Sequence, residues 1–168
     1  MRKEKRLPAR WRYLALFLVA LFIVGADQAS KAWIRSNLPE GYSLFKLGFF
    51  RITHVQNTGA AFGLLPDHSL ALMIFAIIAG SVVLFFIIYG HRYFPWLGDT
   101  AVMLTFGLVL GGTAGNLIDR FRFGYVTDFI DLSYWPAFNI ADSAVTISVI
   151  AFVLLLLRHA QTKKQRPG

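Results

Sequence analysis

Cysteine is absent from this chain, which excludes disulfides and thiolate metal sites and leaves the redox state of its compartment unreadable. Charge is scarce as well: Asp, Glu, Lys and Arg make up 15% of the residues, against about 25% in an ordinary soluble domain. No P-loop or other glycine-rich nucleotide motif occurs. The histidines, His54, His68, His91 and His159, are scattered, with neither H-x-x-x-H nor H-E-x-x-H spacing, so zinc hydrolysis has little support. Ser30 and Lys31 are neighbours on a helix and point apart, which leaves Lys31 without a serine to activate. There is no internal repeat, and low complexity is confined to the basic tails.

Hydrophobic residues are what the chain has in excess, at 56% of 168 with a mean hydropathy of +0.54. Lipid is the solvent this composition suits. The net charge of +8 would fit nucleic acid only if it lined a groove, but it gathers at the two ends of the chain. Such placement is that of juxtamembrane anchors beside anionic lipid, so a membrane and not a nucleic acid is the expected partner.

About 20 apolar residues carry a helix across a bilayer. Four stretches reach that length, at about 11–34, 70–89, 100–118 and 138–157. Backbone groups in lipid must be paired within their own segment, so each should be a helix. The expected fold is an all-α membrane protein, a four-helix transmembrane bundle forming a single integral membrane domain over 1–168. The first span has a basic start and Gly25-Ala26 after its apolar run, as a cleavable secretory signal would. Three further spans make a retained anchor the more natural reading.

The segments 1–12, 90–99 and 158–168 carry six, one and four Lys or Arg, whereas the longer loops 35–69 and 119–137 carry three and two. Positive-inside bias then places both termini, with their basic tails 1–10 and 158–168, in the cytoplasm and the two long loops outside. Within the outer loops, Phe49 to Gln56 is β-branched and aromatic with partial alternation, the pattern of a short strand or hairpin. Asn57-Thr58-Gly59 reads as a turn and Ala60 to Gly63 as a short apolar stretch. Phe45, Phe49, Phe50, Tyr125, Tyr134 and Trp135 suit the headgroup level, so this part should form a small β-containing platform on the outer face.

Four of the acidic residues, Asp119, Asp128, Asp131 and Asp142, fall where spans three and four meet that face. Charge in or near hydrocarbon costs at least about 2.5 kcal/mol at a helix centre, so its default reading is functional. Asp142 has two readings that stand side by side. With Asn139 as N-cap, it completes a capping-box-like pair three residues on. Alternatively it faces Asp128, brought opposite by the loop leaving span three. Two close carboxyls share one proton, and one can then act as base on a water while the other donates to a carbonyl oxygen. A metal site is the rival use of clustered carboxylates, and a proton or ion pathway the rival use of acids in spans.

On span three, Gly107, Gly111 and Gly115 stand four apart beside Gly112, a spacing that lets helices approach closely. Asn116 on the same helix is a candidate polar holder of the site. Asp119-Arg120 closes that span and reads as a surface pair. Asp27 and Lys31, at i and i+4 on span one, read as a structural ion pair snorkelling to the interface.

Taken together, several segments closely resemble the lipoprotein signal peptidases (signal peptidase II), aspartyl peptidases of the bacterial plasma membrane. They are Asp27-Gln28-Ala29-Ser30-Lys31, Asn57-Thr58-Gly59-Ala60-Ala61-Phe62, Gly112 to Arg120 running on to Val126-Thr127-Asp128-Phe129-Ile130-Asp131, and Phe138-Asn139-Ile140-Ala141-Asp142-Ser143. Each piece alone is weak, but the set, in the family's order, covers nearly the whole chain. The resemblance implies that Asp128 and Asp142 are the catalytic dyad. It implies that Asn57, Gly59, Asn116, Arg120, Asn139 and Ala141 bind substrate or shape the site, and that Asp27, Lys31 and Asp119 support it. It implies a prolipoprotein substrate cut just before a diacylglyceryl-modified cysteine, and needs neither cofactor nor metal.

Overall fold

The computed structural model describes residues 7–59 and 69–164. The stretch expected over Ala60 to Gly63, His68, the outer parts of both basic tails and the side chain of Phe45 lie outside what is described. Among the described residues, four helices are long and apolar enough to cross a membrane: α1, Ala9–Asn37; α2, Ser69–Tyr93; α3, Thr100–Phe123; and α4, Ile140–Lys164. Three short strands join them, β1 at Ser43–Leu47, β2 at Phe50–Asn57 and β3 at Val126–Asp131.

All four helices outrun the apolar stretches that foretell them, apart from the start of α4, which falls at Ile140 rather than 138. The chief difference lies in α3. Asp119-Arg120 does not close it; the helix continues to Phe123 and stops at Gly124, whose φ of 78° is left-handed and whose N–H donates to the Arg120 carbonyl at 3.0 Å. Glycine is the residue that takes this helix-ending conformation without strain. The loop expected over 119–137 is therefore largely helix and strand.

Helix α3 is the centre of the bundle, packing on α1 and α4, with α2 against it more lightly. Its glycines set these distances. A methyl group added at Gly107 or Gly111 would stand 2.7 or 2.8 Å from the carbonyl oxygens of Leu16 and Ala20 on α1, and at Gly112 2.5 Å from that of Ala141 on α4. Small residues here let backbones touch, the usual glue of helices in lipid. At the end carrying the termini, the described core is apolar: Leu16, Ile87, Leu97, Val102, Met103 and Phe106.

At the opposite end the strands form one antiparallel sheet in the order β1-β2-β3. The short strand or hairpin expected from Phe49 to Gln56 is a single strand, β2, which forms a hairpin with β1 before it, while β3, which reads as loop in the sequence, is added on its other side. Register pairs Val55 with Asp128 and Asn57 with Val126, so Asn57 and Asp128 are diagonal neighbours on one face. His54 is buried and its Nδ1 lies 2.8 Å from the Leu38 carbonyl, tying β2 to the end of α1. Phe49, Tyr134 and Trp135 are exposed on this platform, whereas Phe50 and Tyr125 are half-buried.

Candidate active site

The chain leaving α3 doubles back through β3 and is clamped to the start of α4. Phe138 exchanges backbone hydrogen bonds with Ile130 at 2.8 and 3.0 Å, which sets Asn139 beside β3. Asn139 is fully buried and its Nδ2 donates to Asp128 Oδ1 at 2.7 Å. Its Oδ1 accepts from the Asp142 backbone N–H at 2.9 Å, and the Asp142 carboxylate accepts in return from the Asn139 N–H at 3.3 Å. That is a capping box with Asp in place of Glu. The two readings of Asp142 are thus not exclusive: one carboxylate oxygen closes the cap, and the other accepts from Asn116 Nδ2 at 2.7 Å.

Asp128 is 1% exposed. Its second oxygen accepts from Asn57 Nδ2 at 2.8 Å, while Asn57 Oδ1 receives the Gly59 N–H in a tight Asx turn. Burial, then the nearby Asp142 charge, pushes the Asp128 carboxyl up from 3.8 to about 7, against the opposing pull of Asn57, Asn139 and Lys31. Both carboxyls open into one cavity of about 770 Å³, lined also by Asn57, Gly59, Asn116 and Arg120. Asn139 is the joint between them and stands behind that wall.

Arg120 does not pair with Asp119 as a surface couple. It lines the cavity, and its buried Nε has no hydrogen-bond partner among the described residues. Asp119 instead points away, fully buried, accepting the Thr127 N–H at 2.9 Å and lying 3.4 Å from Lys31 Nζ and 3.5 Å from Arg35. Asp27 and Lys31 do form the expected ion pair, at 2.9 Å, but both are wholly buried and neither snorkels. The reason is Gly115 opposite: a methyl group there would fall 2.6 Å from Asp27 Oδ2, so only glycine leaves room for the pair.

This ion cluster is the back wall of the site. Asp27 Oδ1 accepts the Ala141 N–H at 3.0 Å and so caps α4 from another helix. Lys31 Nζ donates to Asn116 Oδ1 at 2.8 Å, and Asn116 holds Asp142. Gln28 bonds both Asp27 and Asp119, and Arg35 donates to Thr127 Oγ1 at 2.9 Å. Sequence reasoning gives Gln28 and Thr127 no role of their own and passes over Arg35. The signal for Arg35 is there, since Asp27, Lys31 and Arg35 are four apart on one helical face. Chemically, the arrangement offers two desolvated carboxyls, fixed by amide donors and backed by buried charge, beside a cationic group facing a cleft.

Comparison with known proteins agrees over most of the length. The family model described as "Signal peptidase (SPase) II" matches residues 19–158. A "Lipoprotein signal peptidase" of Dehalococcoides mccartyi is 42% identical over 146 residues, spanning 87% of this chain and 91% of that one. One from Moorella thermoacetica is 41% identical over 156 residues, 92% of this chain and the whole of the relative. Two solved structures, each described as a "Bacterial membrane enzyme structure by the in meso method", share the fold. The first, at TM-score 0.80 and 32% identity, covers 91% of this chain and 93% of its own. The second, at 0.72 and 35%, covers 84% and 92%.

Proposed function

The chain belongs to the signal peptidase II family, and from that premise we propose that it is an aspartyl endopeptidase that removes signal peptides from prolipoproteins, cutting just before a diacylglyceryl-modified cysteine. The observation that supports this reading most is Asn139, which hydrogen-bonds both Asp128 and Asp142 while both carboxyls border one cavity.

In this reading the two carboxyls share one proton and titrate as a unit. The ionised member takes a proton from the attacking water. The protonated member gives its own to the oxygen of the scissile carbonyl; as the tetrahedral intermediate collapses it takes that proton back, and the other carboxyl passes the proton it drew from water to the leaving nitrogen. The amides of Asn57, Asn116 and Asn139 hold the carboxyls in place, so little rearrangement accompanies the charge shift. Arg120 supplies a fixed donor toward the substrate backbone. A diacylglyceryl group keeps the substrate cysteine at the bilayer surface, where Asp142 sits in the first turn of its span. Both termini are assigned to the cytoplasm and the site to the outer face of the plasma membrane, on the positive-inside bias.

A conduction pathway is less well served by the structure. Among the described residues the buried acids gather at one end, and the other half of the bundle has the apolar core. The test is processing of a lipidated precursor peptide by the purified protein. Asp128→Asn and Asp142→Asn should each slow cleavage about a thousandfold or more with the helical fold retained. Near-normal turnover by either variant removes the dyad, and equal rates on unlipidated precursor remove the lipid requirement.

A further inference from the structure

A second groove, of about 540 Å³, opens in the half of the bundle nearest the termini. Helices α2 and α4 each pack on α3 and make little contact with one another, so a seam stays open over α3. Val83 and Phe86 of α2, Phe106 of α3, and Val149 and Phe152 of α4 line it. Its two hydroxyl side chains are already engaged: Thr105 donates to the Val102 carbonyl at 2.7 Å and Ser148 to that of Val145 at 2.9 Å. The groove thus presents an apolar surface on the scale of a single fatty acyl chain.

Its terminal end is different. Trp96 lines the groove there and stacks on His159 at 5.1 Å, about one turn beyond Leu156, which also lines it. Arg92 lies two residues before Phe94 of the lining, and Arg158 and Lys163 follow on α4, all exposed. The described part of this end carries six cations, Arg10, Arg12, Arg92, Arg158, Lys163 and Lys164, against one carboxylate, Asp99.

We propose that this groove binds an anionic phospholipid from the leaflet on the terminal side. One acyl chain lies against Phe86, Phe106 and Phe152, and the phosphate is held among Arg92, His159 and Lys163. Charge decides between this occupant and the substrate's own signal helix. A signal peptide begins with basic residues, which this rim repels in the orientation assigned above. An anionic headgroup gains about fivefold in affinity for each Lys or Arg near it.

The experiment uses the full chain in phosphatidylcholine nanodiscs, with Trp11, Trp33 and Trp135 changed to Phe so that Trp96 is the sole tryptophan. Dibrominated phosphatidylglycerol should quench Trp96 at about a 25-fold lower mole fraction than dibrominated phosphatidylcholine, given two cations at the headgroup. The triple change Arg92→Gln, His159→Gln, Lys163→Gln should erase that difference while leaving quenching by phosphatidylcholine unaltered, which also shows the fold is kept. Equal quenching by the two lipids overturns the site, and so does a preference that survives the triple change. Displacement of the brominated phosphatidylglycerol by a lipidated precursor peptide would assign the groove to substrate and overturn it too. The readout is binding, so it stands whether or not the proposed cleavage chemistry does.

Discussion

At the terminal end of the bundle Leu16, Ile87, Val102, Met103 and Phe106 fill the space between helices. At the other end the space between α1, α3 and α4 is filled by Asp27, Lys31, Asn116, Asp119 and Asn139. Apolar packing in lipid rests on shape, because lipid tails are as apolar as the side chains and no hydrophobic drive separates them. Hydrogen bonds and ion pairs add direction. They hold Asp128 and Asp142 to a geometry that van der Waals contact alone would leave loose. The polar end is consequently the less forgiving of the two, because removing any one member strands its partners in a medium that cannot solvate them.

Lys31→Met is the sharpest way to break that contrast. It would leave Asp27 and Asp119 buried without their shared cation, and losing one member of a buried pair costs about 3–5 kcal/mol. Unfolding in detergent should show a loss on that scale, with cleavage abolished as Asn116 loses its anchor. An unchanged unfolding midpoint would mean that the cluster contributes little. Next comes Gly112→Ala, whose methyl group would meet the Ala141 carbonyl at 2.5 Å. Overpacking of this kind costs about 1–3 kcal/mol. Because Ala141 stands between Asn139 and Asp142, cleavage should fall further than stability does. Gly111→Ala, pressed against Ala20 of α1 instead, should lose similar stability and keep more activity. Equal activity losses in the two would show that the start of α4 is not specially placed. Met103→Leu in the apolar half, a swap of similar volume, should cost less than about 1.5 kcal/mol and leave cleavage intact. A large activity loss there would erase the division between the two ends.

How far each end was legible follows from the same contrast. The four spans show in the sequence because the requirement is local: an apolar run of sufficient length. The glycine spacing on α3 also shows, since helix period alone puts Gly107, Gly111 and Gly115 on one face. Strand β3 does not show. Val126-Thr127-Asp128-Phe129-Ile130-Asp131 carries two acids that argue for a loop, and it becomes a strand because β2 supplies the ladder and Asn57 and Asn139 satisfy Asp128. The end of α3 is misjudged for a related reason. Asp119 looks like a surface charge until Lys31, Arg35 and the Thr127 amide are placed around it. The Asp27–Lys31 pair is legible as a pair from its spacing, but its burial depends on Gly115 of another helix, which spacing within α1 cannot report.

The smallest expected effect probes the proton itself. Asp128 holds its proton to about pH 7, mainly through burial and then through the Asp142 charge. The folded protein therefore retains this proton between about pH 4 and 7 where the unfolded chain releases it. Stability from this group is full below its ordinary 3.8 and is lost as pH rises through about 7. Asp128→Asn should flatten that decline. In the proposed chemistry the shared proton is also needed for turnover, so cleavage should fall across the same interval near pH 7. Asn57 Nδ2 donates to Asp128, which favours the ionised form and works against the upward push. Asn57→Ala removes one hydrogen bond of about 1 kcal/mol, equivalent to about 0.7 pH unit. The alkaline limb of the pH–rate profile should shift upward by that much, while Met103→Leu leaves it in place. A limb that moves downward, or stays fixed when Asn57 is cut back, would detach Asp128 from the proton that limits the reaction.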